Sequence, residues 1–409
     1  MKKKIKILQI VGGSYHNGAF QGANILHKSL IEEGINSVLL NDTVLPKERN
    51  KILKNKKNIV FIQDNILRKI LSKIFVLIEK FLKSLFLHTP RETFTIGLFG
   101  FDITKLNEFR EADIIHIHWL GQGFINIKSL SKINKPVVWT MRDMWAFTGG
   151  SHYTMDFQKY EKSYLSKLIK LYKKKHYNLN FKFVAPSNWL LSKAKNSLIL
   201  NKFNIHKINN NIDINNFKFI GKDKAKKKLN IKSNKKIILY GAQNPQSKRK
   251  GWKIFLQTIK KLDKKKYFLL IFGNFWSQND LEKIGIEYKS LGFVHNINKL
   301  NAVYSCADLF VASSIQDAWP KTFAEAMCCN IPIICFDKTS ISEIVEHKKT
   351  GYIVNNFSSE ELKKSIEWVS QNLNSNLLNN RRNKNLMNSF NSKFIAKKYI
   401  KLYESLLAN

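Results

Sequence analysis

Apolar residues along the chain fall into short unbroken runs, separated by stretches in which they recur at three- and four-residue steps. This alternation is the pattern of strands buried on both faces and of the helices that cover them. Residues 5–11, broken only by Lys6 and Gln9, predict a first buried strand and not a secretory leader, because the apolar part is short and Gly12 and Gly13 follow at once. A loop over 12–19, a helix over 24–33 closed by Gly34, and a strand over 35–40 complete the opening unit. Strands are expected over 112–119 and 135–145, both ending in polar and aromatic side chains, and near 183–189, where Ser187 is placed to cap the next helix. The pattern restarts with a strand over 236–240, a loop over 241–251, a helix over 252–262 and a strand over 267–272, and runs on through 291–294, 307–314, 331–335 and 343–354. Between the repeats, residues 205–235 turn rich in Asn and Lys and are read as the linker; the last run, 394–407, is a separate amphipathic helix. The fold class this predicts is α/β: two doubly wound Rossmann-like domains, 1–205 and 206–385, and a C-terminal segment, 386–409, packing back toward the first.

Residues 64–87 read differently. Ile66, Leu67, Ile70, Leu71, Ile74, Phe75, Ile78, Phe81, Leu82, Leu85 and Phe86 keep helical spacing, with Arg68, Lys69, Lys73, Lys80 and Lys83 between them. Such a basic amphipathic helix either covers the domain's own sheet or lies on an anionic leaflet; the wide apolar stripe and cationic polar face favour the membrane.

Composition narrows the classes. At 409 residues the chain exceeds one ordinary core, and 44% hydrophobic and 12% aromatic residues are enough for two. The net charge of +39 points to an anionic partner, although part of the excess follows from a general abundance of Lys, Asn and Ile of the kind AT-rich coding produces. No Lys/Arg block resembles a nucleic-acid arm, and nothing resembles a reading helix or a base-stacking platform. Cys306, Cys328, Cys329 and Cys335 have neither a zinc spacing nor a disulfide framework and are expected as buried thiols in a reducing cytoplasm. No stretch is long and charge-free enough to span a bilayer.

Chemistry concentrates in Gln316-Asp317-Ala318-Trp319-Pro320-Lys321-Thr322-Phe323-Ala324-Glu325-Ala326-Met327. A buried strand runs into it and a helix leaves it near Thr322, with Pro320 suited to the first turn. Unpaired N–H groups and the positive dipole end there can receive a diphosphate without a metal, and Asp317 and Glu325 can accept from two sets of hydroxyls. Capping acids at an ordinary helix start would give the same spacing. His116 and His118 share one face of their strand, and hydrogen-bonded imidazoles in a cleft fit better than a metal pair, since no third ligand follows at suitable spacing.

Two doubly wound domains, Asp317 and Glu325 separated by seven residues, Pro320 between them and the tail Glu346-His347-Lys348-Lys349-Thr350-Gly351-Tyr352 together resemble glycosyltransferase family 4. The resemblance implies the GT-B fold, two Rossmann-like domains facing across a cleft, and covers essentially the whole chain. His116-Ile117-His118-Trp119 and the long string from Trp139 through Arg142 to Tyr153 resemble the colanic acid type of bacterial polysaccharide glycosyltransferase. Carried over residue by residue, Glu325 holds the ribose, Asp317 with the N–H groups after it holds the donor sugar, and the helix start at Thr322 and Phe323 takes the diphosphate. Lys250, with Arg249 as helper, matches the phosphate-binding lysine; Gly292 and Val294 match the segment facing the base; Gly18 matches the loop that phosphate approaches. Three departures stand out: Asp317 where the family usually has Glu, Arg142 where many members carry a cleft His, and Ser151 where close relatives often carry Cys, which argues against a structural metal there. Arg142 can neutralise charge but cannot act as a base at neutral pH.

The expected protein is a cytoplasmic enzyme, peripheral on the inner face of the plasma membrane. It moves a hexose from a UDP- or GDP-sugar to a glycan or lipid-linked glycan with retention, as the resemblance implies. No cofactor, metal requirement or nucleic-acid partner is expected, since no Asp-x-Asp pair occurs in a suitable loop. A nucleotide-sugar epimerase of the same fold and a catalytically degraded sugar-nucleotide-binding module are the alternatives.

Overall fold

The computed structural model describes residues 5–42, 58–86, 92–275, 279–319, 321–374 and 384–408. They form two compact units, Met1–Asn211 with Ser392–Asn409, and Ile212–Asn391.

The first unit contains β1 (Lys6–Val11), α1 (Gly18–Glu32), β2 (Asn36–Asn41), β3 (Ile59–Phe61), α2 (Ile66–Phe86), β4 (Ile114–Trp119), β5 (Val137–Thr140), α3 (Tyr164–His176), β6 (Lys182–Ala185), α4 (Asn188–Lys195) and β7 (Ile205–Lys207). Its strands pair in parallel in the order β3-β2-β1-β4-β5-β6-β7. β1, β4 and β5 are almost wholly buried, as continuous apolar runs require. The second unit contains β8 (Lys236–Gly241), α5 (Trp252–Lys260), β9 (Tyr267–Phe272), β10 (Tyr288–Ser290), α6 (Ile297–Cys306), β11 (Leu309–Ala312), α7 (Lys321–Cys328), β12 (Ile333–Phe336), β13 (Gly351–Val354) and α8 (Ser359–Gln371). These strands are also parallel, in the order β10-β9-β8-β11-β12-β13. The last helix, α9 (Ser392–Leu407), returns to the first unit, where Ile395, Ala396, Tyr399, Leu402 and Tyr403 pack with Ile7, Leu26, Ile114 and Val138. The strand order reverses between β1 and β4 in one sheet and between β8 and β11 in the other, and crevices for ligands open at the C-terminal ends of such neighbours.

Several expectations are corrected. Helix α1 starts at Gly18, ahead of position 24, because Asn17 Oδ1 accepts from Ala19 N at 3.0 Å and Phe20 and Ala23 are already core. Residues 205–235 are not a linker throughout: 205–207 are strand β7, the units divide at Asn211, and a helix over Lys222–Lys228 buries Ala225 while its lysines form a solvated face. Residues 386–391 belong to the second unit, since Met387 and Phe390 sit in its core, with Phe390 5.8 Å from Trp319 between ring centres. His116 and His118 lie in the interior and not in a cleft, at 0% and 1% exposure, with ring centres 4.1 Å apart. The four cysteines are free and buried, and burial pushes the Cys306 thiol up to about 12. Ser187 does cap α4, accepting from Leu190 N at 3.1 Å.

The orientation of α2 is the largest surprise. Its buried positions are Ser72 and Glu79. Glu79 accepts the backbone N–H groups of Ile96 and Gly97, both at 2.8 Å, and Gln63 donates to Ser72 Oγ at 2.8 Å. Ile66, Leu67, Ile70, Ile74, Leu77, Phe81 and Leu85 all face solvent, between 43% and 76% exposed, on the side opposite Glu79. Lys69, Lys73 and Lys80 are exposed along one flank of that stripe. No helix among the described residues is long and apolar enough to cross a membrane.

Candidate functional site

In the second unit the loop after β8 and the loop after β11 are strapped together. Gly251 has φ +69°, and a Cβ there would lie 2.0 Å from the Ser313 carbonyl oxygen, so only glycine allows this approach. Ser313 Oγ donates to the Lys250 carbonyl at 2.8 Å, and Ile315 N donates to the Arg249 carbonyl at 2.7 Å. These bonds carry Lys250 and Arg249 to Asp317. The Lys250 ammonium pairs directly with Asp317 Oδ2, both side chains being nearly buried, and Arg249 Nη1 stands 3.6 Å from the same oxygen. Two cations against one acid leave the site net positive, which suits a diphosphate.

Helix α7 begins beside Asp317 in the sequence, at Lys321; Pro320 lies outside the described residues. Thr322 is half-buried in its first turn. The Phe323 side chain is core, 3% exposed with its ring 4.6 Å from Phe310, so only its backbone N–H can serve a ligand. Glu325 is 4% exposed; its Oε2 accepts from the Tyr304 hydroxyl at 2.7 Å and its Oε1 is 3.2 Å from Lys321 Nζ. Val294 likewise packs in the core, whereas Gly292, at φ +63°, gives its carbonyl to Gly273 N at 2.8 Å and leaves open space where a Cβ would be. Tyr304 and Lys321 were not expected at the site: Tyr304 reads as an ordinary apolar position of α6, and its partner is 21 residues away.

In the first unit Gly18 opens α1 with free space where a Cβ would stand. Arg142 follows β5 directly. Its Nη1 donates to Asn210 Oδ1 at 2.5 Å and its Nη2 to His118 Nδ1 at 3.0 Å. Behind it, His118 Nε2 meets Gln9 Oε1 at 2.8 Å, while His116 bonds Thr140 Oγ1 at 2.8 Å and the Tyr403 hydroxyl at 2.6 Å. Burial holds both histidines well below the usual imidazole range. Asp143 is spent on other groups: it accepts from Trp119 Nε1 at 2.9 Å and Trp145 N at 2.8 Å and pairs with His152 Nδ1 at 2.7 Å. Ser151 bonds Glu161. Among the described residues no group of three His, Cys, Asp or Glu side chains is gathered to hold a metal ion.

Residues 221–385, less than half of the chain, match the family described as Glycosyl transferases group 1. An uncharacterized glycosyltransferase of Methanocaldococcus jannaschii is 27% identical over 61% of this chain and 66% of its own length, so the match spans slightly less than two thirds of that relative. N,N'-diacetylbacillosaminyl-diphospho-undecaprenol alpha-1,3-N-acetylgalactosaminyltransferase of Campylobacter jejuni is 24% identical over 39% of this chain and 43% of its own. Among solved structures, sucrose-phosphate synthase of Thermosynechococcus elongatus aligns over 99% of this chain and 100% of its own with a TM-score of 0.72 at 15% identity. HepE of Anabaena, solved in complex with UDP-glucose, aligns over 98% and 100% with a TM-score of 0.67, also at 15% identity. The chain therefore has the two-domain fold of the GT-B glycosyltransferases, and its residues 221–385 match the glycosyl transferases group 1 family.

Proposed function

We propose that the protein is a retaining hexosyltransferase of glycosyltransferase family 4. It takes a hexose from a UDP- or GDP-sugar to a lipid-linked glycan acceptor in surface polysaccharide synthesis. One observation carries the reading: Lys250 and Arg249 meet Asp317 where the loops after β8 and β11 are strapped together, just ahead in the sequence of α7, the helix that carries Glu325. In this reading Glu325 takes the ribose hydroxyls, and the N–H groups at Thr322 and Phe323 with the Lys250 ammonium take the diphosphate. As the bond from the sugar's anomeric carbon to the phosphate oxygen breaks, charge develops on that oxygen, and Lys250 and Arg249 stabilise it. Asp317 pairs with the Lys250 ammonium and holds it in place in this reading. Asp317 also meets the donor sugar, Gly292 borders the base, and Gly18 gives phosphate room at the start of α1. Arg142 serves the same reaction from the first unit.

A lipid-linked acceptor is supported by the Campylobacter relative, whose name puts its own acceptor on diphospho-undecaprenol. Contact with an anionic bilayer, on the inner face of the plasma membrane, is supported by α2. Ile66, Leu67, Ile70, Ile74, Leu77, Phe81 and Leu85 of its apolar stripe are turned outward with lysines along one flank, the arrangement of a helix lying in a headgroup layer.

Thermal denaturation with a panel of UDP-, GDP- and dTDP-sugars tests the donor site, because a ligand bound only by the folded state raises the midpoint. If no member shifts it, the donor assignment fails. A transferred sugar with inverted anomeric configuration would sink the retaining assignment.

A further inference from the structure

We propose that Arg142 binds an oxyanion, a carboxylate or phosphate of the substrate group that reaches the C-terminal edge of the first unit's sheet. The inference deepens the glycosyltransferase reading, on which it rests, by giving the substrate a negative charge at this point.

Arg142 is a largely buried cation whose surroundings are all neutral. One nitrogen donates to an amide oxygen, Asn210 Oδ1, and another to an imidazole, His118 Nδ1. The tautomer of that imidazole is fixed by the network. Gln9 donates its Nε2 to Ser37 Oγ at 2.8 Å, so its Oε1 faces His118 Nε2, which carries the proton and leaves Nδ1 as an acceptor. His118 is therefore uncharged and cannot balance the guanidinium. The adjacent acid, Asp143, is taken up by Trp119, Trp145 and His152. Arg142 Nε is buried with no hydrogen-bond partner among the described residues.

The site is also shaped around the guanidinium. A Cβ on Gly22 of α1 would lie 2.8 Å from Nη1, so glycine lets the second turn of the helix close on it. An arginine held this way costs stability unless something repays the desolvation, and no protein carboxylate among the described residues does. A fork of donors with one member unspent is the geometry that carboxylates and phosphates take up, and the start of α1 adds its own positive end. Burial also lowers the guanidinium's pKa, in keeping with a charge that lacks its counter-ion.

The full chain is compared with Arg142→Gln and Arg142→Lys by calorimetric titration. The probes are acid and neutral pairs: UDP-glucuronate against UDP-glucose and GDP-mannuronate against GDP-mannose for a sugar carboxylate, UDP against uridine for the nucleotide phosphate, and farnesyl phosphate against farnesol for an acceptor phosphate. In one pair, Arg142→Gln weakens the acidic member by about ten-fold or more and spares the neutral one, and Arg142→Lys restores part of the loss. Which pair responds identifies the source of the anion. Arg142→Gln without ligand should melt at or above the wild-type midpoint, because an unbalanced charge is gone. The inference is overturned if Arg142→Gln binds every probe as wild type does, or if the neutral members lose as much as the acidic ones. Failure of the donor-site reading shows separately: Lys250→Gln and Glu325→Ala would then leave UDP and GDP binding unchanged.

Discussion

The Tyr304 hydroxyl donates to Glu325 Oε2 at 2.7 Å, from α6 to α7, with both side chains buried. Lys321 stands 3.2 Å from the other carboxylate oxygen, so the acid proposed to grip ribose is oriented from behind before any ligand arrives. Tyr304→Phe keeps the ring in its core position and removes one charge-assisted bond, which is worth about 1.5–3 kcal/mol. Nucleotide affinity measured by calorimetry should fall about ten-fold in Tyr304→Phe and be lost in Glu325→Ala. Equal affinity in Tyr304→Phe and wild type would remove Tyr304 from the site.

Lys250 and Asp317 form the second coupled pair. Removing either partner takes the close counter-charge from the other, and the second cation, Arg249, reaches Asp317 only at 3.6 Å. Lys250→Met and Asp317→Asn should each destabilise the chain by a few kcal/mol in urea unfolding, about 3–5 at most. The double variant should lose less than the sum of the two, and strict additivity would show that the pair is not coupled. All three variants lose transferase activity in this reading.

Much of the fold is legible in the sequence because a strand buried on both faces has to be an apolar run. β9 at 267–272, β4 at 114–119 and the interrupted run at the start of the chain are visible for that reason. The residue types of the site are legible too, since Asp317 and Glu325 flank a helix start. What pairs with them is not: Lys250 and Asp317 are 67 residues apart, and only the parallel order β8-β11 brings their loops together. The facing of α2 is hidden for a related reason. A hydrophobic period gives the width of an apolar stripe but not its partner, and here two N–H groups of a distant loop fix Glu79 inward, on the side where Phe75 and Leu82 are half-buried, and leave Ile74, Leu77 and Phe81 facing solvent.

That anchoring makes the two faces of α2 separable. Glu79→Ala leaves the Ile96 and Gly97 N–H groups without their acceptor, at about 1–3 kcal/mol for each that stays buried. The melting midpoint should drop, and limited proteolysis should cut first within α2. On the opposite face, Leu77→Gln with Phe81→Gln should change stability by about 0.5 kcal/mol or less per site. The same pair should abolish sedimentation with anionic liposomes at low salt. Sedimentation that survives in the Leu77→Gln/Phe81→Gln protein, or its absence in wild type, would end the membrane role of α2.

Stability should also depend on pH in a window set by His116 and His118. Both are buried and neutral, and desolvation is the first cause of their lowered pKa values, with neighbouring positive charge adding to it. In the unfolded chain each titrates near 6.5. Above that pH neither state is protonated and the pair has no effect. As the pH falls below about 6.5 the unfolded state takes up protons that the folded state refuses, so stability declines by about 1.4 kcal/mol per pH unit for each histidine until the folded values are reached. Glu79, whose pKa burial raises above 4.5, works in the opposite sense and stabilises on acidification between its folded value and 4.5. Asp143, held below 3.8, contributes only in stronger acid. Lys173, which burial lowers to about 7, makes its own contribution above that pH, where the unfolded chain holds a proton that the folded one lacks. Urea midpoints taken from pH 8 to pH 5 should therefore fall down to about pH 7 through Lys173 and fall again below about 6.5 through the histidines. His118→Gln isolates one contribution, because its amide oxygen can still accept from Arg142 and cannot be protonated in this range. Its curve should fall less steeply than wild type by about 1.4 kcal/mol per pH unit, and parallel curves would show that His118 already carries a proton in the fold.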